Sequence, residues 1–472
     1  MRRRPGAGST GATEDSGRHR TGGDEGPTVL ASVSLRTSGK RGTFVPGLPA
    51  WHAGSAPGAD VLKPILTIAV PAIDIVLAEQ LAALARQGLR RELRRVASPQ
   101  GPHVRMDGRE LRNFSSNDYL GLANHPALIE ATVRAARDYG AGCGASRLIC
   151  GNLTPHHEAE EALAAFKGTA AALIFSSGYT AAIGVIPALV GPEDVVIVDK
   201  LVHASCIDAA RLSGAKLRVF AHNEMGDLEE ILKWATGRSE LGRILIVTES
   251  VFSMDGDFSP LKLLVDLKEK YGAWLMLDEA HATGCFGPNR RGLAEAAGVS
   301  HQIDIQMGTL GKALGAAGGF VAGSRTLIDY LVNRARSFIF STAPVPAAAA
   351  AARAGIELVQ SAEGATRAAT LWQRVGELKT ELAASGWSPN PSNSAIVPLM
   401  VGGEDEAQEL SRRLRGLGFL VPAIRYSTVA RGLARLRVTV SAAHTSDDIQ
   451  AFGEAISVFR PEPNTPGTSL AA

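Results

Sequence analysis

The sequence predicts an α/β fold in which a large domain with a mostly parallel sheet is followed by a smaller C-terminal α+β domain. Beyond Asn113, short apolar runs alternate with longer stretches of helical periodicity, the pattern of strands covered on both faces by helices. Most runs end at a polar or glycine-rich cluster, and in open α/β sheets such clusters converge on one crevice outside the carboxyl ends of the strands. The chain has 472 residues, 45% hydrophobic and 20% charged, which leaves room for two domains and a large core.

In chain order, residues 1–58 are rich in Gly, Ser, Thr, Arg and Pro and cannot bury enough apolar surface to offset the entropy of ordering, so a disordered arm is expected. No apolar run follows Arg2-Arg3-Arg4, and Glu14, Asp15, Asp24 and Glu25 fit poorly with a transit peptide. The stretch from Val61 to Ala85 is interrupted by Lys63, Pro64, Pro71, Asp74 and Glu79, too broken for a membrane span.

Residues 59–113 are expected to be an N-terminal helical segment. Ile75, Leu77, Leu81, Leu84 and Leu89 recur at near-helical spacing from Ile73 to about Arg95, and Arg90, Arg91, Arg94 and Arg95 form a basic exit. That exit reads equally as compensation of the helix dipole and as an anion site.

The large domain is placed at 114–344. Its candidate strands are Ala171–Ser176, Asp194–Val198, Lys216–Phe220, Arg243–Thr248, Trp274–Asp278, Asp304–Thr309 and Gly318–Ala322. The small domain is placed at 345–460, with an alanine-rich helical region, strands at Ala395–Val401 and Arg435–Val440, and helices near Asp405–Leu417 and Ser446–Val458. The proline-containing tail, 461–472, is expected to be disordered.

A formal net charge of +2 makes no electrostatic case for nucleic acid or an anionic membrane as partner, so small molecules are the expected ligands. Cys143, Cys150, Cys206 and Cys285 form no C-x-x-C pair and no metal spacing, which predicts free thiols, no metal site and a cytoplasmic location.

The motifs that carry chemistry lie at strand ends. Asp278-Glu279-Ala280-His281 precedes a lysine at another strand end, in Thr309-Leu310-Gly311-Lys312-Ala313. Together they read as a site for pyridoxal phosphate (PLP), which needs a lysine for its aldehyde, an anion at its pyridinium nitrogen and a donor at its phenolic oxygen. Lys312, Asp278 and His281 fill those roles in that order.

The first motif also spells a helicase box, but that reading requires a P-loop, and Gly308-Thr309-Leu310-Gly311-Lys312-Ala313 lacks the glycine offset and the Ser/Thr of one. Gly140, Gly142 and Gly144 follow a helix rather than a strand and read as a tight turn. Ser176-Ser177-Gly178-Tyr179-Thr180 lies between strand and helix, where backbone N–H groups can hold a phosphate, although Tyr179 reads also as helix-start packing. His203 follows a strand end and can stack on a cofactor ring or be structural. His156 and His157 sit in a helix start capped by Thr154 and Pro155 and are assigned no chemistry.

From Ile73 to Phe459 the chain resembles the α-oxoamine synthases, PLP-dependent transferases of fold type I. The resemblance rests on Asn113-Phe-Ser-Ser-Asn-Asp-Tyr-Leu-Gly-Leu122, Gly144-Ala-Ser-Arg-Leu-Ile-Cys-Gly-Asn152, Phe252-Ser-Met-Asp-Gly-Asp257, Asp278-Glu-Ala-His-Ala-Thr-Gly284, Gly308-Thr-Leu-Gly-Lys-Ala-Leu-Gly315 and Phe338-Ile-Phe-Ser-Thr342. It implies that Lys312 binds the cofactor aldehyde, Asp278 pairs with the ring nitrogen, His281 and Ser253 contact the phenolic oxygen and His203 stacks on the ring. It further implies that Gly178, Tyr179 and Thr309 line the phosphate, that Ser341 and Thr342 reach it from a neighbouring subunit, and hence that the protein is a homodimer with shared active sites.

Within the family the resemblance is greatest to the biotin-pathway branch, which implies decarboxylative condensation of L-alanine with pimeloyl-CoA or a pimeloyl-carrier protein. Arg425 matches the arginine that binds the amino-acid carboxylate, a bidentate task suited to guanidinium. Arg91, or Arg90, matches an N-terminal substrate arginine, and Thr428 another substrate contact. Where that branch typically has Pro-Pro-Thr-Val-Pro after the arginine, this chain has Tyr426-Ser427-Thr428-Val429-Ala430, and loss of the prolines frees the loop. Glycine C-acetyltransferase, or a catalytically inactive partner subunit, is the alternative reading.

Overall fold

The computed structural model describes residues 72–459, so the expectations for 1–58 and 461–472 lie outside the described residues. The first strands, β1 (His103–Met106) and β2 (Arg109–Asn113), pair as a hairpin closed by Asp107 and Gly108, both at positive φ. Such a two-residue turn matches the twist of the strands it joins.

The seven apolar runs predicted for the large domain all form strands, within a residue or so of the expected ends. They are β3 (Ala171–Phe175), β4 (Val195–Asp199), β5 (Lys216–Phe220), β6 (Ile244–Glu249), β7 (Trp274–Asp278), β8 (Ile305–Thr309) and β9 (Gly319–Gly323). They make one sheet in the order β3-β9-β8-β7-β6-β4-β5, with only β9 antiparallel to its neighbours. Every residue of β4 and β6 is buried, because helices cover both faces, whereas β5 at the edge exposes Lys216 and Arg218.

Four further strands lie towards the C-terminus: β10 (Ile396–Gly402), β11 (Phe419–Leu420), β12 (Ala423–Ile424) and β13 (Ala434–Thr439). β10, β13 and β12 form an antiparallel sheet, and β11 adds in parallel to β2. Residues 103–113 therefore share a sheet with the C-terminal part of the chain. One apolar core joins these layers, from Phe114, Tyr119 and Leu122 through Phe320 to Leu436 and Phe452.

The N-terminal segment departs from expectation. Its helix spans Ala72–Arg86 and stops well short of Arg95. Gly88 takes φ +66°, Leu89 N–H bonds Leu84 O at 2.8 Å and Gly88 N–H bonds Ala85 O at 3.0 Å, a glycine-closed helix end. Arg90, Arg91, Arg94 and Arg95 thus lie on irregular chain beyond the helix and do not cap its dipole. Beyond them, β1 and β2 replace the expected helical continuation.

Among the described residues, no helix is long and apolar enough to cross a membrane, and no group of three or more His, Cys, Asp or Glu could hold a metal ion.

Candidate active site

Strand β7 delivers the first of the clustered ionisable groups. Asp278 is its last residue, and its Oδ1 accepts the Ala280 N–H at 2.9 Å. Burial raises its pKa, and the Lys312 charge opposes that rise. The next acid faces elsewhere: Glu279 Oε2 accepts from Lys167 Nζ at 2.6 Å and Oε1 from Ala294 N–H at 2.9 Å, an ion pair with both side chains 1% exposed. With Glu279 committed to that pair, the two acids of the box do not form a joint metal or nucleotide site.

The turn after Asp278 brings in His281, which bonds Lys312 Nζ through Nε2 at 2.8 Å and Tyr119 Oη through Nδ1 at 2.6 Å. A charged lysine has only donors, so Nε2 accepts and Nδ1–H donates to the tyrosine. Burial, then the Lys312 charge, holds the His281 pKa well below its usual value, so the ring is neutral. Burial also lowers Lys312, to about 8, with the Asp278 charge the main opposing influence. A lysine in that range is partly neutral near physiological pH, the state needed to attack an aldehyde.

The helix Gly178–Leu189 offers a place for a phosphate. Ser177 caps it by accepting the Thr180 N–H at 3.1 Å, and Gly178 and Tyr179 occupy its first positions, where backbone N–H groups can receive an anion. A Cβ on Gly319 would meet Gly178 N and Ser177 C at 2.4 Å, so glycine there lets β9 press against this turn. Thr309, at the end of β8, donates to Gly318 O at 2.9 Å and accepts Gly311 N–H at 3.2 Å, which fixes its hydroxyl beside the Lys312 turn. The Tyr179 hydroxyl donates to Asp208 at 2.9 Å.

His203 caps the helix Ala204–Ser213 with Nδ1, which accepts the Ser205 N–H at 3.2 Å and lies 2.8 Å from Ser205 Oγ. Its other nitrogen, Nε2, therefore carries the proton. The residue borders solvent, yet enough protein surrounds the ring for burial to lower its pKa, with Asp278 opposing. Ser253 is buried on the loop after β6, and that loop is held from two sides. Arg437 Nε donates to Ser253 O at 2.6 Å, and His222 bridges Asp199 at 2.9 Å and Asp257 at 2.7 Å. Burial disfavours the charged His222, but the two carboxylates prevail and raise it to about 10.

The residues expected to contact substrate form a separate group. Arg425 donates to Gly88 O and, at 3.4 Å, to Arg90 O, so it ties its own loop to the segment carrying Arg90 and Arg91. Thr428 N–H bonds Arg425 O at 2.9 Å. Arg91 is exposed. Thr342 bridges Ser146, and Ser341 and Thr342 line a small crevice with Arg147 and Ser176.

Three site residues escaped the sequence reading. Tyr119 lies within a quoted motif but was given no role. Arg437 is buried on β13, donates also to Asn117 Oδ1 at 3.1 Å, and its charge lowers the pKa of both His281 and Lys312. Arg435 and Arg437 alternate in an otherwise apolar strand, a signal that both cations are committed to internal partners. Glu249 ends β6 beside Asp278.

A lowered-pKa lysine, a buried aspartate, a neutral histidine and a capped helix N-terminus match the aldehyde, ring nitrogen, phenolic oxygen and phosphate of PLP, so the residues fit that cofactor.

Comparison with known proteins agrees. The family model described as aminotransferase class I and II matches residues 109–456. The 8-amino-7-oxononanoate synthase of Geobacter sulfurreducens is 49% identical over 79% of this chain and 95% of its own, and that of Herminiimonas arsenicoxydans is 45% identical over 80% and 98%. Among solved structures, the serine palmitoyltransferase of Sphingomonas wittichii superposes with a TM-score of 0.76 at 31% identity, covering 85% of this chain and 100% of that one. The Francisella tularensis 8-amino-7-oxononanoate synthase gives a TM-score of 0.64 at 29% identity, covering 74% and 97%. The chain is a PLP-dependent acyltransferase of fold type I and belongs to the 8-amino-7-oxononanoate synthase family.

Proposed function

We propose that this enzyme condenses L-alanine with a pimeloyl thioester, of CoA or of a carrier protein, and releases 8-amino-7-oxononanoate, CO₂ and free thiol in biotin synthesis. The observation that carries the reading is the Lys312–His281 contact beside Asp278, in a chain whose relatives bear the name of that product. PLP, when bound, supplies the electron sink for the pair left at the alanine Cα.

The chain's own groups account for the rest. Lys312, partly neutral, would hold the cofactor through its aldehyde, and its free amine would take the alanine Cα proton as general base. His281 receives a Lys312 hydrogen at Nε2 and aims the amine; Tyr119 fixes the ring from the other side. Asp278, buried at its strand end, is the anion for the ring nitrogen. His203 presents Nε2–H towards the cleft and polarises the thioester carbonyl as the new carbon–carbon bond forms and the carbon–sulfur bond breaks. Gly178, Tyr179 and Thr309 hold the phosphate.

Arg425 binds the alanine carboxylate, with Arg91 and Thr428 nearby for the acyl substrate. Arg437 is a second candidate for the carboxylate, favoured by its burial close enough to Lys312 and His281 for its charge to lower the pKa of both. Two copies assemble so that Ser341 and Thr342 serve the partner's phosphate; the exposure of Ile149 and Phe340 beside them supports this. Four free cysteines support a cytoplasmic location.

A second reading, with another amino acid and acyl group, is favoured by the proline-free Tyr426–Ala430 loop. Purified, PLP-loaded protein should release thiol from pimeloyl-CoA with L-alanine, and not from acetyl-CoA with glycine or palmitoyl-CoA with serine. Preference for either other pair would retain the mechanism and overturn the substrate.

A further inference from the structure

Glu249 is the last residue of β6 and pairs in parallel register with Asp278, so the two carboxyls leave the sheet on one face from strands about 4.8 Å apart. It is 2% exposed. One oxygen, Oε1, is fully buried and has no hydrogen-bond partner, while the carboxyl faces the backbone N–H groups of His203 and Ser253. Those residues head the two loops that carry the ring-stacking histidine and the phenolic-oxygen serine. Asp278, by contrast, has its Ala280 N–H partner and the nearby Lys312 charge.

Two carboxylates this close in a dry pocket do not both ionise, and the one with the poorer set of donors keeps the proton. An ionised group with a bare buried oxygen would carry a desolvation cost that a neutral acid avoids. The charged and titratable groups that act on Glu249 or respond to it are Asp278 on β7, Lys312 after β8, Cys206 on the helix after His203, and Tyr119. Of these, Lys312 alone is cationic, and Asp278 shares it.

We propose that Glu249 is a positioning residue: a neutral carboxylic acid that ties the His203 and Ser253 loops together and leaves Asp278 as the sole anion facing the cofactor's ring nitrogen. Burial first, and then the Asp278 charge, raises Glu249 to about 8, which agrees with this arrangement. The proposal rests on the cofactor role assigned to Asp278, and part of its test is independent of the cofactor.

The infrared spectrum of cofactor-free protein at pH 7 should contain a protonated-carboxyl stretch that disappears in Glu249→Gln. Persistence of the whole band in that variant would overturn the proposal whether or not PLP binds as described. In PLP-loaded protein, Glu249→Gln should leave the midpoint of the pH-dependent visible absorbance within about 0.3 unit of the parent, since one neutral group replaces another. A shift of about one unit would mean that Glu249 carries charge and would also refute it.

Glu249→Leu keeps the bulk but strands two backbone donors, and PLP should bind about tenfold more weakly. Unchanged PLP affinity in Glu249→Leu would eliminate the positioning role. If that variant does not fold, the Glu249→Gln spectra decide the matter. Failure of the parent to develop a visible band with PLP would instead indict the cofactor reading.

Discussion

The ends of β7 and β8 and the loop around Arg425 both present ionisable groups, and they hold them differently. Asp278, His281 and Lys312 are fixed by strand ends, by Tyr119 and by one another, and burial shifts the pKa of each. Arg425, Arg91 and Thr428 sit on irregular chain, and the Arg425 guanidinium contacts backbone carbonyls of a neighbouring segment. A rigid strand end can set a proton affinity in advance, because its neighbours do not move when the ligand arrives. A loop cation selects among ligands, because it can exchange a carbonyl for a carboxylate. In the proposed function, bond chemistry belongs to the sheet and substrate choice to the rim.

The largest effect should come from Lys312→Ala. With no amine to attack the aldehyde or move the Cα proton, thiol release should fall at least about a thousandfold while the thermal melt stays within a few degrees of the parent. Appreciable turnover would remove Lys312 from the chemistry.

Arg437 tests the sheet side of the contrast by a different route. Arg437→Met leaves Ser253 O without its donor and Asn117 Oδ1 with Tyr119 Oη alone, and should cost about 2 kcal/mol of unfolding free energy, measured by denaturant titration. PLP affinity should fall with it. A stable Arg437→Met that binds PLP normally but loses alanine would make Arg437 the carboxylate site instead.

His222→Gln should destabilise by about 2 kcal/mol, the scale for hydrogen bonds to charged groups. The sign with pH follows from a folded pKa near 10 against about 6.5 unfolded. The stabilisation is complete below about pH 6.5 and is lost as pH rises through 10, so the gap between parent and variant should narrow across that window. A gap that is constant with pH would mean His222 is uncharged.

Tyr119→Phe should have the smallest effect, about 1 kcal/mol, because it removes one hydrogen bond from a ring that Lys312 still holds. A loss comparable with that of Lys312→Ala would make Tyr119 a catalytic group.

The same contrast explains what the sequence disclosed. Strands such as Val195–Asp199 and Trp274–Asp278 are buried runs that end in one polar residue, so their existence was legible, and their limits to within a residue. Lys312 and Asp278 stood out together in the sequence because one cofactor requires both residue types.

The helix end at Arg86 was misplaced because Leu89 prolonged the apolar period past Gly88, where the backbone turns left-handed. The hairpin had a readable signal, Asp107-Gly108 between alternating runs, which the helical expectation for 59–113 overrode. Arg437 and Glu249 were not assigned because their meaning depends on neighbours far away in sequence: Ser253 for the one, and Asp278, a strand away, for the other.

The division between sheet and rim is tested most directly by measuring PLP and L-alanine affinities side by side in Arg425→Ala. The account predicts PLP binding within about twofold of the parent and alanine binding weaker by about tenfold or more, the worth of a charge-assisted bidentate contact. Equal loss of both affinities would contradict it and make Arg425 a structural tie to the Gly88–Arg90 segment.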